Sequence, residues 1–163
     1  MKIREMASGD YSSMEQFLYL AIFVPPDKEP MPFDIIYRSD IFVYIDGFDS
    51  ENIRGDCGVI AEADGKIVGM AWTRLMKGHG YIDDETPELT MAVLAEYRGK
   101  GIGTALMMRL FELLKERGFY RSSLSVQAAN PASRLYQRMG YEIYETVQGN
   151  VEVWNMIKGL KNE

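Results

Sequence analysis

The sequence predicts a mixed α/β (α+β) fold, a single domain over residues 1–163 with a mixed sheet and helices on both faces. Three observations predict it. Strand-like and helix-like segments alternate in the order β-α-α-β-β-β-α-β-α-β-β; an Asp64-Gly65 pair joins two alternating runs as a hairpin; and a long amphipathic stretch follows a glycine-rich loop. A chain of 163 residues with 47% hydrophobic content is long enough for one well-formed core and too short for two.

Taken in order, Ile3 to Met6 reads as a short first strand, and Ser8 or Asp10 can cap the helix that follows. Tyr11, Met14, Phe17, Leu18, Ala21 and Ile22 repeat there with helical period. Pro25, Pro26, Pro30 and Pro32 interrupt regular structure, and a second amphipathic helix is expected over Asp34 to Tyr44, followed by a polar loop from Asp46 to Asn52. Gly58 to Ala63 and Lys66 to Trp72 form the hairpin, since Asp-Gly suits a type I′ turn. A glycine- and acid-rich loop, Lys77 to Thr86, leads to a strand at Glu88 to Val93. The helix from Ile102 to Arg117 carries Leu106, Leu110, Leu113 and Leu114 on one face, with Gly118 placed to end it. Ser122 to Val126 reads as a buried strand, Pro131 to Met139 as a helix stopped by Gly140, and Tyr141 to Thr146 with Val151 to Met156 as a closing hairpin.

Composition excludes several function classes. No apolar run approaches the roughly 20 residues of a membrane span, and the N-terminus goes straight into polar sequence without a signal-peptide core, so a cytoplasmic protein with no membrane partner is expected. Cys57 and His79 are the one cysteine and the one histidine, which argues against a disulfide scaffold and a metal site. Both read better as a small buried hydrophobe and a loop residue than as nucleophiles. The net charge of −6 is uneven: residues 98–138 hold 8 Lys and Arg against 2 Asp and Glu, whereas residues 1–97 hold 8 against 18. An acidic chain is a poor nucleic-acid binder, but a local basic segment suits a small polyanion. Arg109, Lys115, Arg117 and Arg121 also read as the solvated face of a helix and its exit, whereas Arg98 and Lys100 sit in the glycine-rich loop itself.

That loop, Arg98-Gly99-Lys100-Gly101-Ile102-Gly103-Thr104, lies between an apolar strand and a long helix. Uncovered backbone N–H groups and the helix dipole make such a place an anion cradle. Two phosphate loops fail on spacing. A Walker A loop needs its lysine just before Ser or Thr, and here Lys100 precedes Gly101; a dinucleotide fingerprint started at Gly101 would need glycine at Leu106. What fits is [RQ]-x-x-G-x-[GA], as Arg98, Gly101 and Gly103.

This stretch resembles the acetyl-CoA loop of the GNAT superfamily of N-acetyltransferases. The segment Asn130-Pro131-Ala132-Ser133-Arg134-Leu135-Tyr136-Gln137-Arg138-Met139-Gly140-Tyr141 is similar to a second segment of that family, N-x-x-[AS]-x-x-x-Y-x-[KR]-x-G-[FY]. The specific likeness covers Glu88 to Tyr141. It implies a mostly antiparallel sheet of six to seven strands, acetyl-CoA as cosubstrate without a metal, and transfer of acetyl to a primary amine of a small molecule or peptide. A homodimer is compatible with it. The alternative function with the same fold is a noncatalytic acetyl-CoA sensor or assembly module.

By the same resemblance, main-chain groups around Met91, Ala92 and Val93 would hold the pantetheine arm, and Gly99, Gly101, Ile102, Gly103 and Thr104 the diphosphate, with Arg98 and Lys100 as countercharge. Asn130 and Ser133 would border the arm, and Tyr136 would pass a proton to the leaving sulfur; a phenol with pKa near 10 is protonated at pH 7. Tyr136 among Leu135 and Met139 also permits plain core packing. An alkylamine has a reference pKa near 10.4, so keeping it neutral at pH 7 costs roughly 4 to 5 kcal/mol and calls for a base. Glu88, which begins the strand and shares a face with Thr90 and Ala92 by alternation, is the first candidate; Glu85, Asp84 or water alone compete with it. For the acceptor, Phe33, Tyr37, Phe42, Tyr44 and Phe48 beside Asp46, Asp49, Asp83, Asp84 and Glu85 suit an amine with an apolar body.

Overall fold

Seven strands in the order β1-β2-β3-β4-β5-β7-β6 form one sheet in the computed structural model, which describes residues 1–160. The strands are β1 (Lys2–Glu5), β2 (Cys57–Ala63), β3 (Lys66–Arg74), β4 (Glu88–Val93), β5 (Arg121–Gln127), β6 (Glu142–Gln148) and β7 (Glu152–Gly159). The α-helices are α1 (Met14–Ala21), α2 (Ser39–Phe42), α3 (Ile102–Glu116) and α4 (Ala132–Arg138). Every neighbouring pair is antiparallel except β4 and β5, which are parallel and joined through α3.

Alternation along the strands builds two cores. Val59, Ala71, Leu89, Leu124 and Met156 face α3, whose stripe Leu106, Met107, Leu110 and Leu114 is fully buried. Ile60, Met70, Trp72 and Ala92 face the other way, onto Met14, Phe17, Leu18 and Ile36. Each fully buried leucine of this kind contributes about 1.5–3 kcal/mol by removal from water. Local chemistry sets the element ends. Asp64 (φ 54°) and Gly65 (φ 75°) both take the left-handed conformation that a type I′ turn requires, and Gly118 (φ 84°) ends α3.

The second helix departs from expectation. In place of one helix over Asp34 to Tyr44, a 3-10 turn over Phe33–Tyr37 and the four-residue α2 are separated by an extended Arg38 (φ −62°, ψ 139°). The apolar residues Phe33, Ile35, Ile36, Tyr37, Ile41, Phe42, Val43 and Tyr44 spread around the whole circumference of a continuous helix, so no single stripe could bury them. Breaking the helix buries Ile36 completely and sets the Tyr37 ring 5.7 Å from that of Phe42, tilted by 42°. The first helix likewise opens with 3-10 turns at Ser8–Ser13, and its Asp10 accepts the Ala7 N–H while pairing with Arg4. Among the described residues no helix is long and apolar enough to cross a membrane.

A buried clamp ties the α2 exit to the sheet. Arg74 donates to both Asp56 carboxylate oxygens at 3.1 Å and to the carbonyls of Val43 (3.0 Å) and Asp46 (2.6 Å), while Asp56 also accepts the Asp49 N–H. Replacing Arg74 with alanine leaves Asp56 charged and buried without its partner, and is expected to cost about 3–5 kcal/mol of stability in urea unfolding. A loss within 1 kcal/mol, the range of a surface pair, would show that the clamp does not hold this region together.

Candidate active site

The sheet splits between β4 and β5. Their ladder has one registered pair, Glu88↔Ser123, with the Ser123 N–H donating to the Pro87 carbonyl at 3.0 Å. Main-chain groups alternate in direction along a strand, so Leu89, Met91 and Val93 face the β5 side as Pro87 does. Leu94 confirms the alternation by donating to Val68 on the β3 side. Beyond Leu89, therefore, β4 has backbone groups with no strand to pair with, and Arg98 Nε takes up the Val93 carbonyl at 3.1 Å. A groove of about 1020 Å³ occupies the gap, lined by β4, the end of β5, the start of α3, α4 and the segment leaving α1.

One end of the groove is the glycine loop. Gly99 (φ 74°) and Gly101 (φ 81°) are left-handed, and a Cβ at either would meet no atom within 4 Å, so the backbone is open toward the groove. The first intrahelical bond of α3 is Ala105 N–H to Gly101 at 3.1 Å, which leaves the N–H groups of Ile102, Gly103 and Thr104 for a ligand. At Gly103 a Cβ would stand 3.0 Å from Leu135 and 3.2 Å from Met91, so the missing side chain lets α3 start close against α4 and β4. Arg98 and Asn130 line the groove, Asn130 with its side-chain oxygen accepting the Ala132 N–H at 2.9 Å. Lys100 and Ser133 are outside the lining: Lys100 Nζ sits 5.3 Å from the Tyr97 ring centre, and Ser133 is buried, donating to the Ala128 carbonyl at 3.4 Å.

At the other end stands Glu88. It lies on the Ala92 side of β4, which pairs with β3 without a register shift, and only 2% of its surface is exposed. Burial pushes its carboxyl above the ordinary glutamate range, and two donors work against that: the Tyr44 hydroxyl on Oε2 and the Gly80 N–H on Oε1 at 3.0 Å. Burial, and then the charge of Glu88, push the Tyr44 phenol up, so it stays protonated and donates. Its oxygen in turn accepts the His79 N–H at 2.9 Å. The His79 ring packs edge-on against Tyr44, with Nε2 3.3 Å from Asp40. On the opposite, α3-facing side of the sheet, Tyr136 lines the groove; burial pushes its phenol up to about 12, and its ring meets Tyr141 at 6.1 Å.

Of the three carboxylates proposed as base, Glu88 alone lines the groove. Asp84 accepts from the Tyr81 hydroxyl and Glu85 is an exposed partner of Arg54. The aromatic and acidic residues expected at an acceptor site divide in the same way. Tyr44 lines the groove, while Phe48 is buried beside Tyr11, and Asp49 and Asp83 accept local main-chain N–H groups. Tyr44 and Gly80 donate to Glu88, the His79 main-chain N–H donates to Tyr44, and no spacing in the sequence marks that network. Cys57 is fully buried, its thiol pushed up to about 11 chiefly by burial. Arg117 is structural, donating to the carbonyls of Ser50, Arg54 and Asp56.

The family model described as acetyltransferase (GNAT) family matches residues 19–141. An uncharacterized N-acetyltransferase of Methanocaldococcus jannaschii is 32% identical over 148 residues, covering 86% of this chain and 78% of that protein. A mycothiol acetyltransferase of an Arthrobacter strain is 32% identical over 81 residues; the match covers 49% of this chain and 25% of that longer protein. Among solved structures, an acetyltransferase of the GNAT family from Streptococcus pneumoniae superposes with a TM-score of 0.72 at 21% identity, covering 98% and 99% of the two chains. A GNAT superfamily phosphinothricin acetyltransferase from Sinorhizobium meliloti, in complex with acetyl-CoA, gives 0.69 at 18% identity over 98% and 88%. The seven-stranded, mostly antiparallel sheet is the fold of these neighbours.

The site makes one titration predictable. Glu88 is expected to titrate above the ordinary glutamate range in a ¹³C NMR experiment, and Tyr44→Phe to raise it further, because the lost hydrogen bond favours the charged form. An unchanged or lowered value in the variant would mean that Tyr44 does not stabilise the carboxylate.

Proposed function

The chain belongs to the GNAT acetyltransferase family, and on that premise we propose that it transfers an acetyl group from acetyl-CoA to a primary amine by direct attack. The observation that carries the reading is the split between β4 and β5, a groove with open main-chain groups running from an anion cradle to a buried carboxylate. Its residues fit the cosubstrate. The free N–H groups at the start of α3 and Arg98 suit the diphosphate, and the main chain of Met91 and Val93 suits the pantetheine amides. Gly99, Gly101 and Gly103 leave room for the approach, and Asn130 borders the same arm.

Acetyl-CoA supplies a thioester whose carbonyl carbon the amine nitrogen attacks, forming the amide bond as the C–S bond breaks. The amine sheds a proton, and Glu88, the buried one of the two carboxylates that line the groove, is able to take it. Burial helps here, since a carboxylate with a raised pKa is a stronger base, while Tyr44 and the Gly80 N–H keep it ionised often enough to act. The departing sulfur takes a proton from Tyr136, whose elevated pKa leaves the hydroxyl protonated throughout the neutral range. Glu88 and Tyr136 stand on opposite faces of the sheet, so base and acid address the two sides of the reacting carbonyl without competing.

Thiol release across an amine panel tests the reading. Glu88→Gln and Tyr136→Phe are each expected to lower kcat by about 10²-fold or more with little change in acetyl-CoA affinity. The Glu88 inflection on the acid limb of the pH–rate profile is expected above the usual carboxylate range in the parent and should be lost in Glu88→Gln, leaving the amine's own ionisation. Acetyl-CoA binding without turnover of any amine would favour a sensor instead. Gly101→Val, forced into a left-handed φ at the cradle, is expected to weaken acetyl-CoA binding by about 5- to 30-fold in calorimetry; an unchanged Kd would remove the diphosphate from this loop.

A further inference from the structure

The Glu88 half of the groove has a charge pattern that discriminates among amines. Its walls are apolar, with Leu18, Ile22, Val24, Met31 and Ile41 contributing, and its lining carboxylates are Asp40 and Glu88. The lysines and arginines that line the groove among the described residues are Arg98 and Arg138, one at the glycine loop and one on α4, both away from the Asp40 and Tyr44 side. The arginines on that side are held in place, and Arg74, which faces Glu88 across the β3–β4 ladder, is taken up by Asp56 and by the Val43 and Asp46 carbonyls. Arg38 donates through Nε and Nη2 to the two oxygens of Asp40 at 3.1 and 3.0 Å, and His79 meets the same carboxylate. Asp40 thus occupies Arg38 and His79, as Asp56 occupies Arg74.

Resting on the acetyl-transfer reading above, we infer that the acceptor is a primary amine on an apolar body with no carboxylate next to the amine. A free amino acid would bring its carboxylate beside Glu88, where like charges repel and, among the described residues, no free cation or main-chain cradle compensates. An ammonium group approaching the same carboxylates is attracted, and its apolar remainder is taken up by the walls. The specificity comes from an unfavourable element as well as from contacts. The chemistry is shared by small arylalkylamines and by the N-terminus of a peptide, whose first carboxyl is already an amide.

Thiol release with 2-phenylethylamine, phenylalanine, phenylalaninamide and a short phenylalanyl peptide, and with the isoamylamine–leucine pair, tests the inference. The α-amine of an amino acid is more acidic than that of the matching alkylamine, so the neutral fraction alone would favour phenylalanine and leucine. The amines are nevertheless expected to exceed the matching amino acids in kcat/KM by about tenfold or more. Use of the peptide above 2-phenylethylamine, after each rate is divided by the amine's neutral fraction, identifies the N-terminal source, and the reverse order the small amine. Asp40→Ala, which releases Arg38 toward the groove, is expected to narrow the amine-to-amino-acid ratio by about threefold. Parity of phenylalanine with 2-phenylethylamine, or a ratio unmoved by Asp40→Ala, overturns the inference while leaving acetyl transfer intact. Absence of turnover with every amine, despite acetyl-CoA binding, overturns the transfer reading and the inference with it.

Discussion

The fold depends at its centre on a hydrogen-bond ladder that stops early. β4 is paired along its length with β3 and β5 along its length with β7, yet β4 and β5 share the single pair Glu88↔Ser123. Buried backbone groups must find partners, so a split in mid-sheet is costly unless something enters it. Arg98 satisfies one exposed carbonyl, and the main-chain groups of Met91 remain open. The same split brings the N-terminus of α3 and the hydroxyl of Tyr136 to one cavity with Glu88, although these groups belong to separate elements.

Burial at the apex of the split has two opposed effects on Glu88. Removal from water disfavours its charge, and two hydrogen bonds restore part of it. The outcome is a carboxylate that is more basic than one in solvent and still ionisable. In the proposed transfer this would matter because an amine's pKa lies well above that of an ordinary glutamate, and each unit by which the gap narrows is worth about 1.4 kcal/mol. A glutamate in solvent at the same point would be a weaker base, and one buried without Tyr44 and the Gly80 N–H would spend more of its time protonated.

Much of this was legible in the sequence, and what was not has a physical reason. β4 was readable to its last residue because an apolar segment with alternating faces is bounded by Pro87 at one end and a glycine loop at the other. The Asp64-Gly65 turn and the end of α3 at Gly118 were readable because left-handed positions demand particular residues. The segment over Asp34 to Tyr44 misled because apolar content was taken for an apolar stripe, and only three-dimensional packing reveals that the residues face different neighbours. Glu88 could be placed by alternation, but its partners could not: Tyr44 lies 44 residues before it and Gly80 eight, on segments whose approach is set by tertiary packing.

That packing also explains how a loop tyrosine can hold a fixed geometry against Glu88. Tyr44 leaves α2 in an irregular stretch that has no ladder of its own. The Trp72 indole N–H donates to the Tyr44 carbonyl at 3.0 Å, and Arg74 donates to the carbonyls of Val43 and Asp46 on either side of it. Trp72 and Arg74 are both buried residues of β3, on the face that carries α1 and α2, and Arg74 is fixed in turn by Asp56. The backbone on both sides of Tyr44 is therefore held by side chains of the strand next to β4, which carries Glu88 itself. The phenol and the carboxylate are referenced to adjacent strands of one sheet, so their hydrogen bond is as rigid as the β3–β4 ladder although one partner sits in a loop. The buried carboxylate of the site is thus positioned by the hydrophobic core, and substitutions in β3 that never touch the groove should reach Glu88 through Tyr44.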